Sequence, residues 1–315
     1  QETIFWKYVQ YLFFSQWERL KDYANQKGIR MIGDIPIYVA MDSADVWTGG
    51  SRFQLDENRQ PTAVAGVPPD LFSATGQLWG NPLYDWQAME QDGFSWWRAR
   101  MASCAALYDL VRIDHFIGLV HYYAIPAGED TAINGRWLNG PGEKLLEAIS
   151  PALAGKKIIA EDLGVVTPQV RRLLEKSGYP GMKLMEFAFD SDSTNENLPC
   201  HFEKNMVVYG GTHDNETLAG FFGPGQSRRM LRFARRYLDV DGGADFTRRF
   251  IRAALASVSD TAVIPMPDWL GLGAEARINT PSTLGGNWLW RMDPAALTDA
   301  LAADILALTK LYGRC

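Results

Sequence analysis

Six short apolar runs rich in Ile, Val, Leu and Met recur along the chain, near residues 29–33, 107–113, 157–160, 182–188, 206–210 and 261–266. Each has the length and content of a buried strand. Helical patterns separate them, over roughly 16–27, 92–106, 168–177, 226–238 and 245–257. The clearest is 168–177: Thr167 stands at the cap, Pro168 at the first helical position and Gly178 just past the end. Strand, helix, strand, helix requires parallel pairing through crossover connections. The competing architectures are an open doubly wound sheet and a closed (β/α)8 TIM barrel.

The ends of the runs favour the barrel. Four of the six finish in a carboxylate: Gly33-Asp34, Arg112-Ile113-Asp114, Ala160-Glu161-Asp162 and Gly210-Gly211-Thr212-His213-Asp214. In a parallel barrel the C-terminal strand ends surround one mouth, so acids far apart in sequence converge there. No Gly-rich phosphate turn follows the first run, which weakens the dinucleotide-binding alternative, and Leu270-Gly271-Leu272-Gly273 is too short a match to count.

A barrel needs eight strands, and the chain opens with Gln1 inside an amphipathic helix over 3–14. The first two strands are therefore expected upstream, which makes residues 1–315 a partial catalytic barrel holding strands 3 to 8. The stretch 36–91, dense in Gly, Pro and Trp, is too long for a simple βα loop. It is expected as an insertion over the active-site mouth.

Charge and cysteine usage bound the partners. A net charge of −6 disfavours general nucleic-acid binding. The basic cluster of Arg228, Arg229, Arg232, Arg235 and Arg236 reads as the solvated face of a helix. No segment has the apolar length of a membrane span. Cys104, Cys200 and Cys315 fit neither a disulfide framework nor a zinc spacing, and suit a reducing, cytoplasmic location. Eleven tryptophans exceed what a core of this size needs and suit stacking on flat ligands.

Several side chains have the chemistry for a site. Arg112 and Asp114 are two apart on a strand and share a face, so the cation favours the ionised carboxylate that a nucleophile requires. An ordinary ion pair stabilising the strand end fits the same spacing. Alternation lets only one of Glu161 and Asp162 face a substrate, and spacing alone does not say which. His213, Asp214 and Asn215 follow a double glycine that permits close approach of a ligand. Two of the four histidines, His115 and His213, lie beside a strand-end acid. Three acids at one mouth without a metal describe glycoside chemistry. A metal-dependent hydrolase has little support, because no His-x-His or His-x-x-x-His spacing occurs.

The strings Arg112-Ile113-Asp114-His115-Phe116, Ala160-Glu161-Asp162-Leu163-Gly164 and Gly211-Thr212-His213-Asp214-Asn215 resemble the strand 4, 5 and 7 motifs of 4-α-glucanotransferases. These are the amylomaltases or disproportionating enzymes, relatives of the α-amylase barrels. Gly33-Asp34-Ile35-Pro36-Ile37-Tyr38-Val39, Asp42-Ser43-Ala44-Asp45-Val46-Trp47 and the long run 66–84 match as well, and Gly33-Asp34-Ile35 matches strand 3. The resemblance implies Asp114 as nucleophile, Glu161 as general acid and base, and Asp214 as transition-state stabiliser. Arg112, His115 and His213 would hold the sugar at the cleavage site, with Asp34 and Asn215 as further binding candidates. Segment 66–84 resembles the family's mobile active-site loop, which makes Trp79 and Phe72 candidates for glucan contact.

The implied reaction transfers α-1,4-glucan segments from a maltodextrin donor to glucose or a maltooligosaccharide acceptor, with retention and without cofactor or metal. An α-glucan hydrolase, or an inactive or glucan-binding piece of such an enzyme, are the alternatives. Leu71, Ser282 and Leu289 depart from what relatives carry, and none belongs to the three acids.

Overall fold

The structure is a computed structural model describing residues 2–70, 73–223, 225–240, 245–281, 283 and 285–314. It divides into two units, Gln1–Pro180 and Gly181–Cys315. Ten strands are described: β1 (Ile32–Pro36), β2 (Ala63–Val67), β3 (Gln77–Pro82), β4 (Leu110–Asp114), β5 (His121–Pro126), β6 (Arg136–Asn139), β7 (Lys157–Ala160), β8 (Gly181–Leu184), β9 (Met206–Tyr209) and β10 (Thr261–Val263).

In the first unit β1, β4 and β7 form a parallel sheet in that order. Its central strand alternates into a core where Val111, Ile113, Ile158 and Ala160 pack with Trp97, Met101, Leu145 and Ile149 of the flanking helices. Close packing leaves no room for a side chain at Gly33, where a Cβ would meet the Tyr108 ring at 2.1 Å. The crossovers run through helices Ser95–Leu107 and Glu143–Ile149. Helix Pro168–Ser177 has the predicted ends: Thr167 accepts from Val170 N, and Gly178 takes the left-handed conformation at φ 67°.

A second, antiparallel sheet of order β3-β2-β5-β6 stands on the same unit. β2 and β3 come from within 36–91, while β5 and β6 come from between β4 and β7. The sequence reading did not anticipate the contribution of β5 and β6, because Tyr122, Tyr123 and Ile125 follow the run at 107–113 with only Gly118 between to mark a new element. A Cβ on Gly66 would lie 2.2 Å from the Gln77 carbonyl oxygen, so the tight β2 and β3 approach requires glycine there.

The patterns over 3–14 and 16–27 form one helix, Glu2–Gln26, anchored where Trp17 Nε1 donates to the Leu107 carbonyl at 2.9 Å. Among its residues only Ala24 is buried, while Ile4, Phe5, Trp6, Tyr8, Tyr11 and Phe13 are exposed.

The second unit holds the parallel sheet β10-β9-β8. Val208, Met185, Phe189, Leu218, Phe250, Ile251 and Ala254 form its core. Of the apolar run 182–188 only the first part pairs. After Leu184 the chain tightens into a 3-10 turn, Met185–Phe189, which seats Met185, Ala188 and Phe189 in the core. All five arginines named above are exposed on or beside helix Arg228–Tyr237, whose Met230 and Ala234 face inward. Among the described residues no helix is long and apolar enough to cross a membrane.

Each unit thus holds three parallel strands with helices along the chain between and after them, the α/β organisation expected from the sequence.

Candidate active site

Register assembles the first half of the site. Asp34 pairs directly with Arg112 across β1 and β4, and Asp114 stands two residues further along β4 on the same face. Arg112 Nη1 donates to both oxygens of Asp34 at 2.7 Å, and Nη2 lies 2.9 Å from Asp114 Oδ1. The Arg112 side chain is 6% exposed, whereas those of Asp34 and Asp114 stay open to solvent at 38% and 39%. Burial works against the Arg112 charge, but Asp114 and Asp34 outweigh it and hold the group more firmly protonated than usual.

The same geometry separates Glu161 from Asp162. Ile113 pairs with Ala160, so Glu161 is the first residue past β7, beside the end of β4 at the ordinary strand spacing of about 4.8 Å. It is buried, and Asp162 is half-buried. Glu161 Oε2 accepts from His115 N at 2.6 Å, and Oε1 accepts from Leu163 N at 3.0 Å. Burial and the Asp114 charge push its pKa up to about 8, against the lowering effect of Arg112 and the two backbone donors. Two carboxyls on neighbouring strands thus stand in different environments: Asp114 is open and gripped by a cation, while Glu161 is enclosed and held neutral.

His115 is left-handed at φ 55°, a conformation that costs a non-glycine residue about 1 kcal/mol or more. Its ring is buried, its Nε2 has no hydrogen-bond partner among the described residues, and burial drives its pKa down to about 4. The Trp79 ring of β3 meets it edge-on, centroids 4.8 Å apart and planes at 90°. Gly118 leaves the room, since a Cβ there would lie 2.7 Å from His115 Cδ2. Trp79 therefore packs against the candidate site. Phe72 lies outside the described residues.

In the second unit the turn after β9 carries the remaining candidates. Asn215 Oδ1 accepts from Thr212 N at 2.9 Å and from Thr212 Oγ1 at 2.8 Å, which ties the turn to itself. His213 Nε2 lies 3.3 Å from Asp214 Oδ2, and the His213 ring packs on Trp288 with centroids 5.0 Å apart. Asn279 donates to Asp214 Oδ1 at 2.5 Å, and Arg277 donates to the Asp214 carbonyl at 3.1 Å.

The structure thus brings Asp34, Arg112, Asp114, His115, Glu161 and Trp79 together in one unit, and His213, Asp214 and Asn215 together in the other. Sequence reasoning passed over Arg277, Asn279 and Trp288. The only signal was their place in the strings Arg277-Ile278-Asn279 and Asn287-Trp288, which contain no titratable acid to draw attention.

The model of the 4-alpha-glucanotransferase family matches residues 1–298. A 4-alpha-glucanotransferase of Clostridium butyricum is 48% identical over 316 aligned positions, covering 100% of this chain and 65% of that protein. The solved amylomaltase of Streptococcus agalactiae, in complex with acarbose, superposes with a TM-score of 0.93 at 42% identity, over 97% of this chain and 62% of that one. The amylomaltase of Corynebacterium glutamicum, at 19% identity and a TM-score of 0.78, shares the fold over 99% of this chain and 49% of its own. The chain spans less than two thirds of the length of these relatives, and it belongs to the 4-alpha-glucanotransferase family.

Proposed function

We propose that this family member works as a cytoplasmic, retaining 4-α-glucanotransferase that passes α-1,4-glucan segments from a maltodextrin donor to glucose or a maltooligosaccharide acceptor. The observation that carries the reading is the unequal pair Asp114 and Glu161. Acid–base chemistry on a glycosidic bond at neutral pH requires one carboxylate ionised and one carboxyl protonated within reach of the same bond. Asp114 has a buried arginine on one oxygen. Glu161, with its pKa near 8, carries the proton.

In the first half-reaction Asp114 attacks the anomeric carbon while Glu161 gives its proton to the leaving oxygen, and a covalent glycosyl ester forms. Esterification removes the Asp114 charge. That charge is a principal cause of the raised Glu161 pKa, so its loss makes the now ionised Glu161 easier to keep as a base. Glu161 then takes a proton from an acceptor hydroxyl, which displaces Asp114 with a second inversion and net retention. Retention calls for carboxyl groups about 5 to 5.5 Å apart. Asp214 is assigned the stabilisation of positive charge on the oxocarbenium-like sugar, held for that role by Asn279 and His213. Asp34, Arg112, His115, His213 and Asn215 are assigned to sugar binding. Trp79, packed on His115, is assigned to the glucan-facing wall.

Incubation with maltotriose tests the reading. Transfer yields glucose together with maltodextrins longer than the substrate. Glucose and maltose alone would mark a hydrolase. A shifted melting transition with maltodextrin but no turnover would mark a binding-only chain.

A further inference from the structure

Behind the turn that carries His213 and Asp214 lies an acid that the reaction does not use. Glu186 is the second residue of the turn after β8 and is 3% exposed. Its backbone N donates to the Gly210 carbonyl at 3.1 Å, so the residue is tied to the end of β9 through its main chain. Its side chain lies against the next residue. A Cβ added to Gly211 would stand 2.7 Å from Glu186 Oε1 and 2.9 Å from Asn215 Cβ, and Gly211 is glycine because the carboxyl occupies that space.

From there the contacts lead to the site. Asn215 stands beside the Glu186 carboxyl and favours its ionised form, as an amide donor does. Asn215 Oδ1 is already occupied by the two bonds from Thr212, so its amide N–H is the donor. Thr212 Oγ1 in turn accepts from Asp214 N at 3.3 Å. We propose that Glu186 is a positioning residue for the acid-bearing turn: through Asn215 and Thr212 it fixes the backbone from which His213 and Asp214 project.

The surroundings say in which form it acts. Burial, then Asp268 from helix Met266–Trp269 and Glu216 from the end of the turn, raise the Glu186 pKa to about 9. Arg277 and Asn215 oppose them. Oε1 has no partner among the described residues. A neutral carboxyl tolerates that, whereas an ionised one would leave a buried charge beside two further acids. The working form is therefore the neutral acid, for which glutamine is an isosteric substitute.

The assignment of a catalytic consequence rests on Asp214 having the role proposed above, so the test separates the two. The four histidines of the chain allow the His213 ring to be followed by 13C–1H correlation of its Cε1–H group, assigned with His213→Gln. In the unsubstituted chain the His213 signal should show a step centred near pH 9. Glu186→Gln should keep the neutral-pH position and lose the step, and Glu186→Met, with similar volume but no amide partner for Asn215, should displace the signal at every pH. If Glu186→Met does not fold, the titrations of the unsubstituted and Gln forms still decide. A flat signal from pH 8 to 10, or a step retained in Glu186→Gln, overturns the proposal. In the turnover assay, loss of the Glu161 proton lowers the rate above pH 8 in both forms, and ionisation of Glu186 predicts a further fall of about tenfold by pH 10 in the unsubstituted chain that Glu186→Gln lacks. Absence of turnover in every form, with the histidine signals behaving as stated, rejects the transferase reading and leaves the positioning role standing.

Discussion

After burial itself, the charge of Asp114 is the strongest influence raising the proton affinity of Glu161, acting across the β4 and β7 strand pair. Removing that charge should therefore change two things at once. Asp114→Asn should abolish transfer, by at least about 10³-fold, and should accumulate no covalent glycosyl-enzyme in mass spectra. It should also lower the Glu161 pKa below about 8, read from carboxyl 13C titration. Retained turnover would assign the nucleophile elsewhere. An unmoved Glu161 titration would mean that the two groups do not interact.

Glu161 also sets a pH dependence of stability. Its folded pKa of about 8 lies above the ordinary 4.5, so between those values the folded state holds a proton that the unfolded chain has released. Stability from this group is complete below about pH 4.5 and is lost as pH rises towards 8. Glu161→Gln cannot ionise, and its melting temperature should exceed that of the parent chain at pH 8 while converging with it near pH 4.5. Turnover in the same variant should fall about 10²- to 10⁴-fold. Asp162→Asn, at a half-buried position, should lose far less activity. The reverse order would show that Asp162 is the acid.

Much of this was legible before any coordinates. The run 157–160 is strand β7, and Thr167, Pro168 and Gly178 bound their helix where predicted, because local caps and fixed dihedrals act within a few residues. The first run is less well placed: strand pairing begins at Ile32 opposite Leu110, not at Ile29, since register is decided by the partner strand. Spacing left Glu161 and Asp162 equivalent for the same reason: the motif resemblance named Glu161, and which of the two is buried depends on the β4 partner. Glu186 was read only as part of an apolar run, and its burial against Gly211 depends on a contact across 25 residues that no local pattern encodes.

Arg112 is the hinge of the first half of the site, and its fork is what matters. Lysine keeps the charge but cannot reach Asp34 and Asp114 together. Arg112→Lys should lower transfer at least about 100-fold, with a stability loss of about 1.5 to 3 kcal/mol for the broken charged hydrogen bonds, measured by urea unfolding. Equal activity in the lysine form would reduce Arg112 to a structural cation.

His115 and Trp79 make a second pH-sensitive pair. Burial depresses the His115 pKa to about 4 from the ordinary 6.5, so its contribution to stability is complete above pH 6.5 and is lost as pH falls towards 4. Trp79→Ala admits water to one side of the imidazole. Its titration should move up towards 6.5 in histidine NMR, and KM for maltotriose should rise more than kcat falls. A His115 titration unchanged in that variant would mean that Trp79 does not shield the ring.

Asn279 tests the second unit, because its amide donates directly to Asp214 Oδ1. The carboxylate is partly open, so the bond contributes more through orientation than through charge stabilisation. Asn279→Ala leaves the Asp214 charge, the His213 contact and the Arg277 bond to the backbone in place, and should therefore reduce kcat about 10- to 100-fold with little change in melting temperature. Asn279→Asp sets a second carboxylate against Asp214 and should be the worse substitution at pH 8, improving as pH falls and the pair shares a proton. Two variants with equal activity at both pH values would show that the orientation of Asp214 comes from the turn backbone alone, which would place the weight on the Thr212 and Asn215 contacts.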